Sequence, residues 1–451
     1  MRSTRRLFDR SFTGVLAGVY LSVAGGAASC ASDRDVLLGS DGGDAAPDVV
    51  TADAGSEDAE SDRGAPPWRD AATSDAGPRP VVCASSPCAI SLTTTPGYDD
   101  GFCALLEDGT VACWGQNQHG QLGRGPDAAS TNRSIPERVV GLSDVTFLDH
   151  TCAVDKDGST WCWGTGPYLR NPTELMTTEL TPVKLPVPPA KMVGLGVDIR
   201  SNTAVGCVVT DDVVLCWGTN SYGQVAVPKL DGMNAFLPPE PLAVPAGAPI
   251  ERLVVGRASF ILRADGTLLS WGANPPLGRV SSLVPDPYPG EVALGGVVGI
   301  DVVEDTACAV AAGIAHCWGR PIDGNMLAPL ERALPRPIPT PEPLVQIATT
   351  PYASNTFLTI RWCGVGVSGA VYCWGSNSFG QAGDGTQDYA VEPVAAVGLP
   401  GPAAEVKATP RSTCALLTSG KVYCWGGNGF GQLGNGKTGE RSLVPQEVML
   451  P

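Results

Sequence analysis

One stretch decides the fold of this 451-residue chain: Cys103-Ala-Leu-Leu-Glu-Asp-Gly-Thr-Val-Ala-Cys113-Trp114-Gly115. Variants of it occur seven times, and the Trp-Gly dipeptide that ends it returns at intervals of 49, 54, 54, 47, 56 and 51 residues. The tryptophans of the seven copies are Trp114, Trp163, Trp217, Trp271, Trp318, Trp374 and Trp425. A period near fifty residues with one hairpin per period is typical of a propeller array. The sequence therefore predicts an all-β, seven-bladed β-propeller over residues 83–451.

Each copy is predicted to be a β-hairpin, because alternating residues flank a tip such as Asp108-Gly109. Two cysteines lie ten residues apart in four copies and nine apart in two, where the tip is one residue shorter. Either spacing puts the two cysteines directly opposite each other, at a separation that a disulfide can bridge. The expected hairpin disulfides are Cys103–Cys113, Cys152–Cys162, Cys207–Cys216, Cys308–Cys317, Cys363–Cys373 and Cys414–Cys424.

The remaining cysteines, and the fourth copy of the repeat, also fit the prediction of paired cysteines. The fourth copy has Phe260 and Ser270 at the two positions, so both cysteines are missing together. Of the 15 cysteines, three lie outside the hairpins: Cys83 and Cys88 are close enough to pair, which leaves Cys30. The alternative to disulfides is that the cysteines are free and buried. Zinc binding is disfavoured because the sequence lacks the short Cys-x-x-Cys clusters of structural zinc sites.

The first thirty residues have the pattern of an export signal. Four arginines in the first ten residues precede an uncharged run over 11–29, which is short for a membrane span. The run ends Ala27-Ala28-Ser29-Cys30, which resembles the lipobox of bacterial lipoproteins, although Ala27 stands where Leu is usual. We therefore expect a signal peptide over 1–30 and lipidation of Cys30; the alternative is ordinary secretory cleavage near Ala28.

Residues 31–82 are predicted to be a disordered acidic linker. Between 31 and 80 there are twelve Asp or Glu, four Arg and few large apolar residues, a composition that cannot form a core. The whole chain has a formal net charge of −16, which argues against a nucleic-acid partner. The linker is expected to hold the folded domain off a membrane surface; the alternative is a solubilising tail.

The loops after the hairpins carry a family resemblance. Trp114-Gly115 is followed by Gln-Asn-Gln-His-Gly-Gln-Leu-Gly-Arg-Gly125, and similar segments occupy 375–385, 426–436 and, in part, 218–224. Together with the preceding hairpin, these segments resemble the regulator of chromosome condensation repeat family over residues 88–451. The resemblance implies a seven-bladed β-propeller. The family includes an exchange factor for a small GTPase and an ultraviolet sensor, activities that we do not expect in an acidic, exported bacterial chain.

Residues that could carry chemistry are scattered, and we predict no catalytic, cofactor-binding or metal-binding residue. Gly366-Val-Ser368-Gly369 nearly matches a nucleophile elbow, but Ser368 falls at a hairpin tip. Asp155-Lys-Asp157-Gly158 has glycine two positions too early for a calcium loop. The three histidines, His119, His150 and His316, fall in different repeats.

Binding through loops is the function that the sequence favours. The connections after Trp163, Trp217 and Trp318 span 44, 43 and 45 residues to the next hairpin, against 37 to 40 elsewhere, and such insertions could form one rim. We predict a monomeric binding or scaffolding propeller that engages a protein or glycan, lipid-anchored at a bacterial envelope or surface, or else secreted. The alternative is an extracellular polysaccharide lyase or hydrolase with carboxylates on the propeller face.

The last expectation concerns closure of the ring. Each connection contains a Pro-led apolar strand, whereas the predicted linker precedes the first hairpin and Leu443–Leu450 follows the last. We therefore expect 443–450 to join the sheet that contains Cys103 and Cys113, which would remove two exposed sheet edges.

Overall fold

The structure is a computed structural model that describes residues 77–96, 100–128, 130–170, 176–198, 202–211, 213–225, 236–274, 276–303, 305–319, 333–350 and 360–451. The predicted signal peptide, Cys30 and most of the predicted linker lie outside these residues. Within the described ranges, no helix is long and apolar enough to cross a membrane.

The described chain forms seven antiparallel sheets, each made of four strands that are consecutive in sequence. The strands of blades 1 and 2 are β1 (Ala89–Thr94), β2 (Gly101–Leu106), β3 (Val111–Gly115), β4 (Arg133–Arg138), β5 (Val145–Asp149), β6 (Cys152–Asp155), β7 (Thr160–Gly166) and β8 (Thr177–Lys184). Those of blades 3 and 4 are β9 (Met192–Asp198), β10 (Thr203–Val209), β11 (Val214–Thr219), β12 (Phe236–Leu242), β13 (Ile250–Val254), β14 (Ala258–Arg263), β15 (Leu268–Gly272) and β16 (Asp286–Glu291).

The remaining three blades follow the same plan. Their strands are β17 (Val297–Val303), β18 (Thr306–Ala311), β19 (Ile314–Gly319), β20 (Arg336–Ile338), β21 (Leu344–Thr349), β22 (Arg361–Gly366), β23 (Val371–Gly375), β24 (Ala390–Ala395), β25 (Ala403–Ala408), β26 (Ser412–Leu417), β27 (Val422–Gly426) and β28 (Ser442–Glu447). A 3-10 turn, Pro126–Ala128, lies between β3 and β4. The first strand of each blade contacts the first strands of both neighbours, and β25 contacts β1, so seven inner strands surround a central channel. The molecule is a seven-bladed β-propeller.

The predicted closure is wrong. Strand β28 pairs with β27 of its own blade, where Tyr423 lies opposite Glu447, rather than with the sheet of Cys103 and Cys113. The reason is that β1, directly after Cys88, already supplies the inner strand of blade 1, so no blade lacks a strand. The ring closes by packing between blades: Leu433 and Val448 of blade 7 share a core with residues of blade 1.

Repeat tryptophans connect neighbouring blades. The indole N–H of Trp114 donates to the carbonyl of Gln432 at 3.0 Å, which makes this contact part of the closure between blades 1 and 7. Five more repeat tryptophans donate to a backbone carbonyl of the preceding blade: Trp163, Trp217, Trp271, Trp318 and Trp425. A buried indole needs such an acceptor, which explains why this residue recurs.

The glycine after Gln-Leu or Gln-Ala in the loops leaves room for the tryptophan of the next blade. Gly383 has a φ of 80°, and a Cβ placed there would lie 2.5 Å from Nε1 of Trp425. Gly434 and Gly123 are placed in the same way against Trp114 and Trp163. Both the left-handed conformation and the contact therefore require glycine.

Seven disulfides join the same cysteine pairs that the spacing predicts. In the six hairpin pairs, the cysteines lie directly opposite each other with Cα atoms 4.0 to 4.1 Å apart. In blade 4, Phe260 lies opposite Ser270 instead. The ring of Phe260 packs edge-on against Trp318, and the Ser270 hydroxyl accepts a hydrogen bond from Nε of Arg279 at 3.1 Å.

Contacts of the propeller extend ahead of residue 83. The backbone N–H of Val82 donates to the carbonyl of Thr418 at 2.7 Å, and Nη2 of Arg79 donates to the carbonyl of Val367 at 2.8 Å. The segment before blade 1 thus lies along the hairpin tips of blades 7 and 6.

Candidate functional site

Antiparallel strands divide the loops of the propeller between two faces. Loops that follow the Trp-Gly dipeptides emerge on the same side as the loops between the first and second strands, and we call this side the Trp-Gly face. The tips between second and third strands emerge on the opposite side, the hairpin-tip face. Each of the three longer connections includes residues outside the described ranges.

Buried polar side chains fix the repeated loops of the Trp-Gly face. In blade 6, Oδ1 of Asn377 accepts from the N–H of Ala382 at 2.8 Å, and Oε1 of Gln381 accepts from the N–H of Phe379 at 2.6 Å. The same two bonds recur in blades 1, 3 and 7. They hold one ring residue per loop at an equivalent position: His119, Tyr222, Phe379 and Phe430. These loops are therefore preorganised for contact.

Two of these aromatic rings bracket an arginine, Arg411, in the loop between β25 and β26. Its guanidinium lies 6.0 Å from the ring centre of Phe379 and 5.8 Å from that of Phe430, within the range of cation–π attraction. Its Nη1 contacts Oδ2 of Asp100 at 2.8 Å, and its backbone N–H donates to Oδ1 of the same residue. The Arg411 side chain is 42% exposed, whereas that of Asp100 is fully buried.

A second arginine, Arg361, lies beneath this arrangement and is completely buried. Its Nη2 donates to the carbonyls of Thr409 and Ser412, each at 3.0 Å, and to the Thr413 hydroxyl at 2.9 Å. Its Nε and Nη1 have no hydrogen-bond partner among the described residues. Burial lowers the pKa of Arg361 to about 9, although Asp100 opposes this shift, so the group remains a cation at neutral pH.

We call Arg411, Asp100, Arg361, Phe379 and Phe430 the Arg411 cluster. Burial raises the pKa of Asp100 above its ordinary value, against the opposing effects of Arg411 and of hydrogen bonds from Thr409. The cluster combines two guanidinium groups with one carboxylate. At neutral pH it is therefore a local positive site on a protein with a formal net charge of −16.

A related arrangement, the Arg257 cluster, lies across blades 3, 4 and 5. Nη2 of Arg257 contacts Oδ2 of Asp198 at 2.7 Å, and its Nη1 contacts Oδ2 of Asp305 at 3.3 Å. Its guanidinium lies 5.8 Å from the ring centre of Tyr222. Here one guanidinium forms ion pairs with two carboxylates, and the Arg257 side chain is only 24% exposed.

A cavity of about 110 Å³ at the mouth of the channel brings His150, Asp198, Arg257 and Asp301 together. Nδ1 of His150 lies 3.1 Å from the carbonyl of Thr94. Oδ2 of Asp301 accepts from the backbone N–H of Thr349 at 2.6 Å. Each acidic group of the cavity therefore has a structural partner, since Asp198 contacts Arg257.

Other carboxylates on inner strands also accept hydrogen bonds from backbone N–H groups of the next blade, as Asp301 does. Asp149 accepts from the N–H of Leu195 in the next blade at 3.2 Å, and Glu405 accepts from the N–H of Leu92 at 2.9 Å. An inner strand has one edge without a neighbour in its own sheet, and its backbone donors need acceptors. The channel carboxylates supply acceptors across blade boundaries.

The residues for which the sequence predicts no chemistry make structural contacts. The Ser368 hydroxyl donates to Glu342 at an exposed hairpin tip. Oδ1 of Asp155 accepts from the N–H groups of Asp157 and Ser159, each at 2.9 Å, as expected of a turn. His316 lies on β19, with its Nδ1 3.0 Å from the carbonyl of Ile314, and is in a different blade from His119 and from His150.

One possible metal-binding group lies in the described part of the chain. The ligand atoms of Cys83, Cys88 and Glu107 lie within 4.8 Å of one another. The two sulfurs form a disulfide with each other, which makes them unsuitable as thiolate ligands.

Neither arginine is predicted from the hairpin pattern, although the sequence contains a signal for both. Arg411 and Arg257 each directly precede the first residue of their blade's second strand, and so do Asp100 and Asp305. In both clusters, an arginine of one blade pairs with the aspartate at the same position in the next blade. An alignment of the repeats at the start of the second strand places these two arginines and two aspartates at one position.

This architecture places the chain in the class of seven-bladed β-propellers. Models of the regulator of chromosome condensation (RCC1) repeat match residues 108–155, 405–432 and 419–451. The matched residues lie in blades 1, 2 and 7, so these parts of the chain are similar to the RCC1 repeat family.

Curated relatives match parts of the chain. Human E3 ubiquitin-protein ligase HERC2 is 42% identical over 72 residues, which are 16% of this chain and 2% of HERC2. The Ultraviolet-B receptor UVR8 of Arabidopsis thaliana is 25% identical over 248 residues, covering 53% of this chain and 54% of UVR8. The chain thus spans about half of UVR8 and a small part of HERC2.

Solved structures share the fold. Human WBSCR16 matches 76% of this chain and 94% of its own with a TM-score of 0.58 and 20% identity. Prp20p of Saccharomyces cerevisiae matches 76% of this chain and 87% of its own with a TM-score of 0.57 and 19% identity. At such identities the likeness concerns the fold alone.

Proposed function

We propose that this protein is a binding or scaffolding propeller, tethered at a bacterial cell envelope or surface, that engages a protein partner through its Trp-Gly face. The observation that carries the proposal is the Arg411 cluster, where a partly exposed arginine lies between two aromatic rings on rigid loops. Arginine and aromatic residues are enriched among the residues that dominate binding energy at protein interfaces. A preorganised group of this kind loses little conformational entropy on binding.

The relatives support a protein as the partner class. Prp20p of Saccharomyces cerevisiae binds Gsp1p and histones, and yeast RCC1 (Prp20) has also been crystallised with Kap60 bound. In each case a protein with this fold binds other proteins. We do not extend those particular partners to this chain.

Export and a lipid anchor at Cys30 are part of the proposal. Six hairpin disulfides and the Cys83–Cys88 bond suit an oxidising compartment. A Cys30→Ser variant should move from the detergent phase to the aqueous phase, because the acyl chains of a lipoprotein anchor would be lost. Unchanged partitioning would contradict the anchor.

Binding is preferred to catalysis because the channel carboxylates accept structural hydrogen bonds. Asp301 and Asp149 each accept from the inner strand of the next blade, and Asp198 contacts Arg257. A lyase or hydrolase would need acidic groups directed at a substrate. These groups are instead directed at the protein itself.

Proximity labelling on intact cells tests the proposal. The wild type is compared with a Phe379→Ala/Phe430→Ala variant and with a Lys156→Ala/Asp211→Ala/Lys421→Ala control, whose exposed positions lie on the hairpin-tip face. We expect the set of labelled proteins to be lost in the first variant and kept in the control. An unchanged set in the Phe379→Ala/Phe430→Ala variant would refute binding through the Trp-Gly face.

A further inference from the structure

We propose that the Arg411 cluster recognises a carboxylate of the partner protein, an Asp or Glu side chain flanked by an apolar residue. This inference rests on the function proposed above and adds the chemistry of the partner. Three features support it: the open edge of the Arg411 guanidinium, the buried cation Arg361 beneath it and the exposed ring of Phe379 beside it.

The guanidinium of Arg411 has one occupied and one open edge. Its Nη1 is held by Asp100, while its Nε and Nη2 have no hydrogen-bond partner among the residues that the structure describes. These two nitrogens form the fork that binds a carboxylate through two parallel hydrogen bonds. Because the side chain is 42% exposed, a ligand can reach that edge.

The charge around Arg411 favours an anion. Asp100 offsets one guanidinium, and the buried Arg361 adds a second cation beneath it. Low solvent exposure strengthens the field of such a group compared with a surface charge. The rest of the molecule is acidic, so an acidic segment would be attracted at this place and repelled elsewhere.

The ring of Phe379 defines the apolar side of the site. It is 38% exposed and lies beside Arg411. Gly427, which has no side chain, lies next to the ring and leaves room for it. A partner residue next to the recognised carboxylate can cover this ring. The stacking of both rings on the guanidinium also limits its rotation, so less entropy is lost when the carboxylate binds.

The Arg257 cluster supplies the internal control. Arg257 has the same position in its blade and the same type of ring contact, but Asp198 and Asp305 occupy both Nη atoms. It should therefore have no affinity for a further carboxylate. This difference is the basis of the matched variants below.

The experiment selects peptides from a random phage-displayed library against the full-length protein. Clones that fail to bind Phe379→Ala/Phe430→Ala are sequenced, synthesised and tested against Arg411→Lys and Arg257→Lys. Lysine keeps the charge opposite Asp100 but cannot form the bidentate fork. Thermal melting and the disulfide content of each variant confirm that it folds.

We expect these clones to be enriched in Asp or Glu next to an apolar residue. Their affinity should fall about tenfold in Arg411→Lys, which is the size of one charge-assisted bidentate contact. In Arg257→Lys their affinity should stay within about twofold of the wild type. Ring-dependent clones without acidic enrichment, or with equal affinity for the wild type and Arg411→Lys, would overturn the inference and leave the proposed binding face standing. If no clone depends on the two rings, both proposals fail.

Discussion

The Arg411 and Arg257 clusters occupy equivalent positions on opposite sides of the ring, yet one is open and the other is closed. Each arginine precedes the second strand of its blade and pairs with the aspartate at that position in the next blade. The difference lies in Asp198, which occupies the remaining Nη atom of Arg257, and in Arg361, which adds a cation near Arg411. A repeat fold can therefore use one position as a recognition group or as a structural bridge, depending on a neighbour in the adjacent blade.

The largest expected difference concerns stability. Arg411→Met should lower the free energy of unfolding by about 3 kcal/mol, because it leaves the fully buried Asp100 without its ion pair. Arg257→Met should cost about 1 kcal/mol, since the side chains of Asp198 and Asp305 keep 10% and 24% exposure to solvent, whereas that of Asp100 has none. Denaturant unfolding at neutral pH measures both variants.

Acidification provides the control for this prediction. As Asp100 becomes protonated, the loss in Arg411→Met should shrink, because the uncompensated charge disappears. Equal losses in the two variants, or a loss in Arg411→Met that does not change with pH, would contradict the assignment of Asp100 as the buried partner.

The next prediction converts the closed cluster into an open one. Asp198→Asn/Asp305→Asn should leave the charge of the Arg257 guanidinium uncompensated and increase the affinity for acidic peptides by about fivefold, equivalent to about 1 kcal/mol. The control is Asp211→Asn/Asp265→Asn on the hairpin-tip face, which changes the net charge by the same amount. A similar increase in the control would mean that overall charge, rather than Arg257, attracts the peptide.

A smaller effect concerns the pH dependence of two carboxyls. Burial raises the pKa of Asp100, so its contribution to stability is complete below the ordinary value of 3.8 and is lost as pH rises through the folded-state pKa. Burial alone would also raise the pKa of Asp286, but hydrogen bonds from Ser281 and Tyr288 and the charge of Arg279 lower it. The contribution of Asp286 is therefore present above 3.8 and is lost as pH falls.

The two carboxyls are separated by substitution. Unfolding free energies of Asp100→Asn and Asp286→Asn, measured against the wild type across the acidic range, should depend on pH with opposite signs. As pH rises, the wild type should lose stability relative to Asp100→Asn and gain it relative to Asp286→Asn. Slopes of the same sign would show that Asp100 lacks the effect of burial assigned to it.

The smallest effect concerns the rings themselves. Phe379→Leu and Tyr222→Leu each remove one cation–π contact at a partly exposed site, which should lower stability by about 0.5 kcal/mol. Peptide affinity should fall only in Phe379→Leu. A comparable loss of affinity in Tyr222→Leu would indicate that the two clusters bind alike.

The fold could be predicted from the sequence because its determinants are local. A hairpin places Cys103 opposite Cys113 within ten residues, and the same short pattern is repeated around the ring. The prediction of closure is wrong because Ala89–Thr94 forms a complete inner strand of the first blade. Whether the segment before the first hairpin forms an inner strand depends on its pairing with β2. The spacing of the hairpins does not determine that pairing.

The hairpin pattern alone does not predict the candidate site, because the contacts of the site join distant parts of the chain. Asp100 and Arg411 are 311 residues apart, and Arg361 reaches Thr409 and Ser412 of the next blade. Only alignment of the repeats indicates that such residues share a position. The exposure that separates Arg411 from Arg257 follows from the packing of neighbouring blades.

The most direct test of the account is NMR of the arginine side chains in the full-length protein, labelled at arginine Nε. A blocked glutamate peptide with one apolar neighbour is titrated against it, and the matching glutamine peptide is the control. We expect the Nε–H signal of Arg411 to shift with the glutamate peptide alone, while that of Arg257 stays in place. Equal shifts of both arginines, or no shift of Arg411, would contradict the claim that the Arg411 cluster is the open recognition site.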